Sequence, residues 1–572
     1  MKAIGGITVL NSVVRVNMNS LEAIIEKLPE KYLMLSGRSL TSKVVSEEVD
    51  PAADPLGPGN RLVFACGLLA GTGLSSANRL SAGAKSPLTG GIKESNAGGM
   101  AAFRMARLGI RAIIIEGEPP GDGRYILVVD RQGPRLEEAG WISMAGVYEK
   151  TSKILSKYGG RVAVLLIGPS GERLQLSSGI AVNDPGGNPG RYCGRGGLGA
   201  VMGSKGLLAV VLDDSGVSIE KPVRAEEFNS RVKAVSNWIK ENPLTAEVYN
   251  KYGTAAMLSN TNALGGLPTR NFSTGTFEGA NKIDGYAVYN TIVSRGGDGT
   301  PTHACMPGCR IKCSNVFPGS DGRCLVSPLE YETIAMVGAN CGIEDLDAIA
   351  RINYLCNDYG VDTIEVGCAL AVVMESGSIP FGDAEAAVRA VEEIGKDSLL
   401  GKIIASGAVT AGRVLGVKRV PAVKGQGIPG YDPRSIKGTG VTYITSPMGA
   451  DHTAGSTARA SIKHHLKEGQ VELSRMVQLW CSLMDSLGLC IFLGTAIKDR
   501  RVLADLVSHR LGRDVTLEDL MEIARETMEV EREFNRRAGI TEVHDRLPEF
   551  FYHEVNPVNG SVFDIYSEDL EK

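Results

Sequence analysis

The first 214 residues alternate short apolar runs with glycine-rich turns, a pattern typical of β-strands. The clearest runs are RLVFACG (61–67), RAIIIEGE (111–118), RYILVVD (124–130), RVAVLLIG (161–168) and LLAVVLDD (207–214). Each is short and rich in Val, Ile and Leu, which favours buried strands. Because only a few helical stretches separate these runs, the pattern predicts an α+β domain over residues 1–214.

From Val223 onward the apolar positions recur with a helical period. The segments are AEEFNSRVKAVSNWIKENP (225–243), DAIARINYLCNDYG (347–360), DAEAAVRAVEEIG (383–395), LLGKIIASGAVTAGRVLG (399–416) and TLEDLMEIARETMEVEREFNRRAG (516–539). A passage rich in Gly and Pro at 416–440 interrupts them and is the best internal boundary. We therefore expect two mainly α-helical domains, 215–420 and 421–572, after the α+β domain.

Composition and charge argue against two classes of binding partner, nucleic acid and membranes. The chain has 572 residues, of which 43% are hydrophobic, and a formal net charge of -4, which suits several globular domains. No run of Lys and Arg provides a footprint for nucleic acid or an anionic membrane. The N-terminal segment lacks the apolar core of a signal peptide, and no apolar run is long enough to span a bilayer. We expect a cytoplasmic protein that binds no nucleic acid and does not insert into a membrane.

Glycine is the unusual residue in this composition. Some of the 71 glycines form two dense clusters, GGIKESNAGGM (90–100) and GGNPGRYCGRGGLGAVMG (186–203). Without a Cβ atom the chain can turn tightly or bring its backbone close to a ligand. Both clusters are therefore candidate ligand-contacting loops.

Three cysteines, Cys305, Cys309 and Cys313, recur at a spacing of four in PTHACMPGCRIKCSN (301–315). Thiolates three or four residues apart can converge on one metal centre, which normally takes four ligands. Cys490, at the end of DSLGLC (485–490), is a candidate for the fourth, because a preceding Gly lets the backbone turn and present the thiol. The spacing leaves an iron–sulfur cluster, a zinc site and simple buried thiols as alternatives.

The other cysteines show no comparable pattern. Eleven cysteines are an odd number spread over a long chain, which is unlike the framework of a disulfide-stapled secreted domain. Those expected to be core or bystander residues are Cys66, Cys324, Cys341, Cys356, Cys368 and Cys481.

Several motifs keep a shared order along the chain. They are LSGRSLTSKVVSEEVDPAADPLGPGNRLVFACGLLAGT (35–72), NRLSAGAKSPLTGGIKESNAGG (78–99), GRYCGRGGLGAVMGSKGL (190–207), the cysteine triplet, EYETIAMVGANCGI (330–343), DYGVDTI (358–364), YDPR (431–434) and DSLGLC (485–490). Together they resemble the aldehyde:ferredoxin oxidoreductase family of tungsten or molybdenum bis-pterin enzymes. The resemblance implies an α+β domain that cradles the bis-molybdopterin cofactor, with the cofactor at its interface with the helical domains. It also implies oxidation of an aldehyde to a carboxylic acid, with electrons passing through a [4Fe–4S] cluster to ferredoxin or a ferredoxin-like iron–sulfur subunit.

The resemblance further implies contacts to the cofactor from the two glycine clusters. These residues are Arg79, Asn96 and Gly98 for one pterin, and Arg191, Tyr192, Gly194 and Arg195 for the other region of the paired cofactor. Phosphate and a ring rich in donors and acceptors suit backbone amides with an occasional Arg. Backbone carbonyls near Asn96 and Tyr192 would help hold Mg²⁺ between the two phosphates. Taken alone, each glycine is also consistent with a tight turn, and Arg191 and Arg195 with surface salt bridges.

Two further pterin motifs of the family have counterparts here. The motif Asp-x-x-Gly-Leu-Cys is intact and contains Asp485 and Leu489. The motif Asp-x-x-Gly-Leu-Asp reads NDYGVD, with Asn357 in the first place, followed by Val361 and Asp362. An Asn keeps a carbonyl acceptor for a pterin N–H group but carries no charge, so we expect this contact to be retained and weakened.

The cluster motif departs from the family pattern. Familiar members space the first two cysteines three apart, whereas this chain has Thr302 at that upstream place and an additional cysteine downstream. The implied ligands of the cluster are Cys305, Cys309, Cys313 and Cys490. His303 is a possible substitute ligand, although a bystander histidine is the simpler interpretation.

Aldehyde oxidation needs an oxygen nucleophile, a donor that polarises the carbonyl, and a base. By resemblance, Glu332 and His452 are the candidate acid–base residues. Glu332 begins an apolar helical run, where burial would raise its pKa and a helix N-terminus would oppose that rise. Glu330 fits better as a carboxylate that interacts only with the helix dipole. His464 and His465 are adjacent on a probable helix and cannot share a face, so they are expected to be structural.

Two substitutions limit the expectations about substrate and assembly. Ala454 stands where a well-known member has Lys, so the pocket should differ and the substrate need not be a typical small aldehyde. Arg351 and Tyr354 replace a Glu and a His that bridge two subunits through a metal in that member, so a dimer of that kind is not expected. A homo-oligomer or an electron-transfer complex stays open. The alternatives are low-potential reduction of a carboxylate or aromatic ring in a larger complex, and a non-catalytic iron–sulfur or zinc protein.

Overall fold

Residues 11–218 and 220–570 are described by the structure, a computed structural model. Residues 1–10, which include part of the N-terminal segment considered above and the start of the predicted first domain, lie outside the described residues, as do residues 219 and 571–572. The division into three domains at 214 and 420 stays a prediction.

Two six-stranded mixed sheets organise residues 12–212. The first sheet has the order β2-β1-β6-β3-β4-β5 and the second the order β11-β10-β9-β12-β7-β8. Their strands are β1 Ser12–Asn17, β2 Glu22–Lys27, β3 Leu62–Cys66, β4 Leu80–Lys85, β5 Ile92–Ala97, β6 Ile110–Glu116, β7 Tyr125–Asp130, β8 Gly133–Glu138, β9 Ala163–Leu166, β10 Ile180–Val182, β11 Arg191–Cys193 and β12 Leu207–Leu212. The pairs β1–β6 and β7–β12 are parallel and the other neighbours antiparallel.

The burial of these strands explains their sequence pattern. β3 and β12 are buried along their whole length and read as continuous apolar runs, as central strands covered on both faces do. β2, at the edge of the first sheet, is mostly exposed and mixes Glu and Lys with Ile. The five predicted strand segments are therefore confirmed.

Helices dominate the remainder. They are α1 Gly37–Glu48, α2 Ala101–Arg107, α3 Val147–Tyr158, α4 Pro169–Glu172, α5 Leu198–Ser204, α6 Ala225–Glu241, α7 Tyr249–Tyr252, α8 Met257–Ala263, α9 Ala280–Ile283, α10 Gly285–Arg295, α11 Tyr331–Thr333, α12 Leu346–Tyr359, α13 Thr363–Glu375, α14 Ala384–Gly395, α15 Leu399–Ala405, α16 Ala408–Leu415, α17 Lys437–Thr445, α18 Gln470–Ser486, α19 Ile491–Gly494, α20 Arg501–Leu511, α21 Leu517–Arg537, α22 Phe550–His553 and α23 Ser567–Leu570. Small sheets are formed by β13 Thr300–His303, β14 Ser314–Pro318 and β15 Cys324–Val326, and by β16 Ala422–Val423 and β17 Gln426–Gly427. Of the helices in the described ranges, none is both long and apolar enough to cross a bilayer.

The predicted helices are confirmed with two corrections. The segment 399–416 forms two helices instead of one, because Gly407 adopts a left-handed backbone angle of +89° between them. His464 and His465 lie in a turn region before α18, so the expectation that they share a helix is wrong. The carbonyl of His464 instead accepts from the backbone N–H of Lys437 at 3.1 Å.

Apolar cores cross the boundaries read from the sequence. One core combines residues between Ala255 and Ile565, on both sides of position 420. Another combines residues 68–77 with residues 228–313 and 483–524. Distant parts of the chain thus pack into one body around the positions that carry the cysteines.

A buried ion pair joins α1 to α21. Arg38 donates to Glu531 through Nε at 2.9 Å and through Nη2 at 2.7 Å, and Ser42 Oγ donates to the same carboxylate at 2.7 Å. Both charged side chains are buried. Bidentate pairing satisfies a guanidinium that would otherwise be costly to bury.

We expect Glu531→Ala to weaken the packing of α1 on α21, because it leaves Arg38 buried without its bidentate partner. Loss of one member of a buried pair costs about 3–5 kcal/mol. Amide hydrogen exchange should show faster local opening of both helices by a corresponding amount. Glu518→Ala, which removes an exposed ion pair from the same helix, is the control and should change exchange little. Equal effects of the two variants would contradict this account.

Candidate active site

Four of the cysteines singled out above lie in one apolar cluster. Cys305, Cys309 and Cys313 occupy the loop between β13 and β14, and Cys490 immediately precedes α19. A hydrogen bond from Cys305 lowers the pKa of Cys309 to about 6, and backbone N–H groups of the loop assist. Burial raises the pKa of Cys313, and the nearby Cys490 adds to that rise. The loop and the distant cysteine therefore form one group of thiols.

Backbone contacts connect the two parts of this thiol group. Cys490 N donates to the carbonyl of Ser76 at 2.8 Å, and Ser76 Oγ lies 3.6 Å from Cys309 Sγ. A Cβ atom on Gly98 would lie 3.2 Å from Cys305 Sγ, so glycine lets the strand pass close to the thiol. Soft thiolates with N–H donors around them are the donor set that iron–sulfur clusters use.

His303, the possible substitute ligand, has a local partner. Its Nε2 lies 2.6 Å from Asp184 Oδ2. Burial alone would raise the pKa of Asp184, but the hydrogen bond with His303 and the charge of Arg191 hold it below its ordinary value. Across 11–218 and 220–570, no three His, Cys, Asp or Glu side chains are arranged to hold a single metal ion.

Arg79, Asn96 and Asp485 lie side by side next to the thiols. Arg79 directly precedes β4 and Asn96 lies in β5, so the antiparallel pairing of these strands places them together. Arg79 donates to Asn96 Oδ1 through Nε and to the Asn96 carbonyl through Nη2 at 2.9 Å, and Asn96 Nδ2 donates to Asp485 at 3.1 Å. Burial raises the pKa of Asp485 far above its ordinary value, and the charge of Glu94 adds to this. Gly488, with a φ of +68°, turns the chain so that its carbonyl accepts from Arg79 N at 3.0 Å.

The glycine-rich segment before α5 carries two buried arginines. Arg191 Nη2 donates to Ser314 Oγ at 2.7 Å, and Arg191 Nη1 lies 3.5 Å from Glu330. Arg195 Nε donates to Asp362 Oδ2 at 3.1 Å. Because both arginines are buried, the surface salt bridges considered as an alternative are wrong.

The residues of the NDYGVD motif surround the junction of α12 and α13. The Tyr192 hydroxyl donates to the carbonyl of Asn357 at 2.5 Å. Asp362 caps α13 by accepting from two of its backbone N–H groups. Val361 is buried beside them, and Leu489 is buried in the apolar cluster that contains the thiols.

Two cavities meet at Glu332 and His452. The thiol-side cavity, of about 210 Å³, is lined by residues that include Arg79, Asn96, Asp485 and Cys490. The helix-side cavity, of about 240 Å³, is lined by residues that include Asn96, Tyr192, Gly194, Arg195, Asn357, Val361 and Asp362. Gly98, Arg191 and Leu489 are not among the residues that line either cavity. The structure thus brings most of the residues implied by the sequence to two adjoining spaces.

The carboxylate and imidazole at this junction are neighbours. Glu332 Oε1 lies 3.5 Å from His452 Nε2, and Glu332 Oε2 accepts from Gly430 N at 2.8 Å. Glu332 Oε1 has no hydrogen-bond partner among the described residues. Burial raises the pKa of Glu332, and the charge of His452 opposes the rise. Glu330 precedes α11 but its side chain makes no capping hydrogen bond. A carboxylate with a raised pKa beside an imidazole can perform general acid–base chemistry.

Two residues that the sequence analysis missed hold the loop of His452. Lys93 Nζ donates to Asp451 Oδ2 at 2.6 Å, and both side chains are buried. Burial acts against ionisation, yet the charges of Lys93 and Arg195 hold the pKa of Asp451 far below its ordinary value. Asp451 Oδ1 also accepts from Thr453 N at 3.1 Å. In the sequence, this pair is indicated by a lysine inside a strand of the glycine-rich hairpin. Its partner, Asp451, lies 358 positions further along the chain, so the pair was not predicted.

Comparison with known proteins gives the class to which this arrangement belongs. The profile "Aldehyde ferredoxin oxidoreductase, N-terminal domain" matches residues 13–214, and the profile "Aldehyde ferredoxin oxidoreductase, domains 2 & 3" matches residues 230–572. The protein is therefore an oxidoreductase. It belongs to the aldehyde ferredoxin oxidoreductase family.

Individual proteins agree with this assignment. The chain is 32% identical over 575 residues to the tungsten-containing aldehyde ferredoxin oxidoreductase of Pyrococcus furiosus, covering 95% of this chain and 91% of the relative. The protein of the same name from Thermococcus kodakarensis is 32% identical over 574 residues, with the same coverage of 95% and 91%. Among solved structures, the active site complex BamBC of benzoyl coenzyme A reductase in complex with 1,5-dienoyl-CoA superposes with a TM-score of 0.81 at 19% identity, covering 98% of this chain and 92% of that chain. This last likeness concerns the fold.

We expect Gly98→Ala to disturb the thiol group, because the new methyl group would lie 3.2 Å from Cys305 Sγ. Overpacking of this kind costs about 1–3 kcal/mol. The thermal midpoint of the metal-free chain should fall, and the rate at which Cys305 is alkylated should change. Gly73→Ala is the matched control, because a Cβ atom there meets nothing within 4 Å. If both variants behaved as the wild type does, the close approach of Gly98 to the thiol would be unimportant.

Proposed function

We propose that the protein is a tungsten- or molybdenum-dependent oxidoreductase that oxidises an aldehyde to a carboxylic acid. In this proposal electrons pass through a [4Fe–4S] cluster to ferredoxin or a ferredoxin-like iron–sulfur subunit. The observation that carries it is the pairing of Glu332 with His452 where two cavities meet, one of them lined by Cys490. The names of the relatives, tungsten-containing aldehyde ferredoxin oxidoreductases, support the same reaction.

The described residues fit a bis-pterin cofactor. Arg79 and Arg195 supply guanidinium groups for phosphate, and Asn357 and Asp362 supply oxygen acceptors for ring N–H groups. When bound, the cofactor would supply the two-electron chemistry that no side chain provides. In the same proposal, backbone carbonyls near Asn96 would help hold a magnesium ion that neutralises the phosphates of the cofactor.

The thiol group fits the cluster. Three of its cysteines are buried and Cys305 is partly buried in an apolar cluster, and a hydrogen bond from Cys305 lowers the pKa of Cys309. Cys490 lines the thiol-side cavity together with Arg79, so a cluster held by this thiol would lie next to the cofactor. Electron transfer out of the site requires a short distance between the cofactor and the cluster.

The acid–base residues then have defined tasks in the reaction R–CHO + H₂O → R–COOH + 2H⁺ + 2e⁻. His452 Nε2–H donates to the carbonyl oxygen and makes the carbonyl carbon more electrophilic. Glu332 Oε1, which lacks a partner, accepts a proton from water as its oxygen adds to that carbon. Because Oε1 and Nε2 are 3.5 Å apart, the carboxylate and the imidazole can act on the same bound substrate. The two electrons leave towards the iron–sulfur acceptor.

Replacing Glu332 tests the base. Glu332→Gln keeps the size and hydrogen bonding of the side chain but removes its basicity, so kcat should fall by about 10²–10⁴. Iron, pterin and tungsten or molybdenum should persist, and KM should change little. In the wild type, kcat should rise with pH through the raised pKa of Glu332, because only the ionised carboxylate is a base. That acidic limb should disappear in the variant.

The control for this test is Glu330→Gln, which removes a neighbouring carboxylate that also lines both cavities. We expect it to lower kcat less than Glu332→Gln and to keep the acidic limb. Near wild-type turnover in a fully metal-loaded Glu332→Gln protein would eliminate Glu332 as the base.

Replacing Cys490 tests the cluster. Cys490→Ser should lower the iron content or alter the spectrum of the reduced cluster, while the chain stays folded. Cys481→Ser changes a buried cysteine of the preceding helix α18 and should leave the iron content unchanged. Iron analysis after anaerobic purification measures both. Unchanged iron and an unchanged spectrum in Cys490→Ser would remove Cys490 from the site.

The direction of the catalysed reaction distinguishes the proposed oxidation from the reductive alternative. Assays with dye oxidants should detect aldehyde oxidation, and assays with low-potential donors should detect reduction of a carboxylate or an aromatic ring. The proposal requires turnover in the first assay.

A further inference from the structure

The thiol-side cavity extends from Glu332 and His452 to a second functional group, the guanidinium of Arg459. This guanidinium lies 4.8 Å from the ring centre of Phe492 and 5.2 Å from that of Tyr249. The two rings are themselves 5.0 Å apart. Stacking on the aromatic pair holds the long side chain in place, because a guanidinium is attracted to ring faces.

Arg459 has no acidic partner in the described part of the chain. No carboxylate oxygen there lies within 4.0 Å of its guanidinium nitrogens, and the aromatic contacts use the face of the group and leave its N–H donors unused. An arginine that lines a cavity with free N–H donors and a preset orientation can bind a carboxylate in a bidentate manner.

The charge of Arg459 reaches the catalytic end of the cavity. Tyr431, whose ring lies 6.0 Å from that of His452, connects the two ends. Burial raises the pKa of Tyr431, the charge of Glu332 raises it further, and the charge of Arg459 lowers it. Arg459 and Glu332 therefore act on the same side chain from the same cavity.

Beyond Arg459 the space continues outward. A neighbouring surface groove shares Ala458 and Arg459 with the thiol-side cavity and is also lined by Lys463 and His464. Lys463, like Arg459, has no carboxylate within 4.0 Å in the ranges described. A ligand that enters from this side meets two unpaired cations before it reaches Glu332.

We propose that Arg459 is a specificity-determining residue that binds an anionic group of the substrate, so that the substrate is an aldehyde with a carboxylate or similar oxyanion remote from its reacting carbonyl. This inference rests on the proposed oxidation at Glu332 and His452. The stoichiometry of the proposed oxidation stays the same. Water adds oxygen to the aldehyde carbon, two protons and two electrons leave, and the remote anion takes no part. Arg79, the other arginine that lines this cavity, already donates to the side chain and the carbonyl of Asn96, so Arg459 is the arginine of the cavity with unused donors in the described part of the chain.

Matched substrates test the proposal in the metal-loaded enzyme. 4-Formylbenzoate carries a remote carboxylate, and its methyl ester has a similar shape without the charge. We expect the wild type to prefer the carboxylate in kcat/KM, and Arg459→Gln to lower kcat/KM for the carboxylate by about five- to tenfold, mainly through KM. The ester should be affected by a smaller factor, and added salt should weaken the preference of the wild type.

Further variants make the outcome specific. Arg459→Lys should retain part of the preference, because it keeps the charge but loses the planar fork. Arg500→Gln is the matched control, since Arg500 also stacks on an aromatic ring, that of Trp480 at 4.3 Å, and lies outside these cavities. It should leave both substrates unaffected. Equal kcat/KM for carboxylate and ester in the wild type, or an unchanged preference in Arg459→Gln, would overturn the proposal.

A binding measurement separates this inference from the proposed oxidation. Terephthalate, the product expected from 4-formylbenzoate, should bind to the holoenzyme in calorimetry, and Arg459→Gln should weaken this binding about five- to tenfold. If neither aldehyde is oxidised but terephthalate binding depends on Arg459, the proposed reaction is wrong and the anion site stands. If both aldehydes are oxidised and terephthalate binds wild type and Arg459→Gln equally, the reaction stands and anion recognition by Arg459 is wrong.

Discussion

The buried guanidinium of Arg195 is the constraint on which the arrangement of the site depends. It lies 3.1 Å from Asp362 and 3.6 Å from Glu365, and it donates to the carbonyls of Ala450 at 2.5 Å and Gly427 at 2.6 Å. A buried cation is tolerated only when its partners are present. Because these partners come from the start of α13, from β17 and from the loop before His452, one side chain of the α+β region sets the positions of three other segments. The walls of the helix-side cavity and the loop of His452 therefore share a single anchor.

Polar atoms without partners at the junction of the cavities contrast with this paired network. Glu332 Oε1 and His452 Nδ1 are buried and have no hydrogen-bond partner among the described residues. Each such atom costs roughly 1–3 kcal/mol, so folded proteins seldom leave them unsatisfied away from functional sites. The stabilising pairs hold the backbone, whereas these atoms face the region where a reacting group and a cofactor would be bound.

Much of the fold could be predicted from local pattern, and the cysteine loop from its spacing. Continuous apolar runs such as that of β12 predict central strands, because both faces are buried. The division of 399–416 at Gly407 and the non-helical setting of His464 were not predicted, since both depend on tertiary packing that overrides local preference. The roles of Lys93 and Arg459 could not be predicted for a related reason. A single charged residue in a local stretch of sequence resembles ordinary surface, and only the folded chain shows what it faces.

The distant position of Cys490 has a consequence for biosynthesis. The DSLGLC turn packs against residues near the start of the chain: Ser36 Oγ donates to the carbonyl of Ser486 at 2.5 Å, and Gly67 directly contacts Leu487. A ribosome releases the N-terminal part first, so both sheets can form while the turn is still unsynthesised. Until that turn arrives, the cysteine loop lacks its companion thiol and the thiol-side cavity lacks a wall. An iron–sulfur cluster that used Cys490 would therefore assemble only after synthesis has passed position 490.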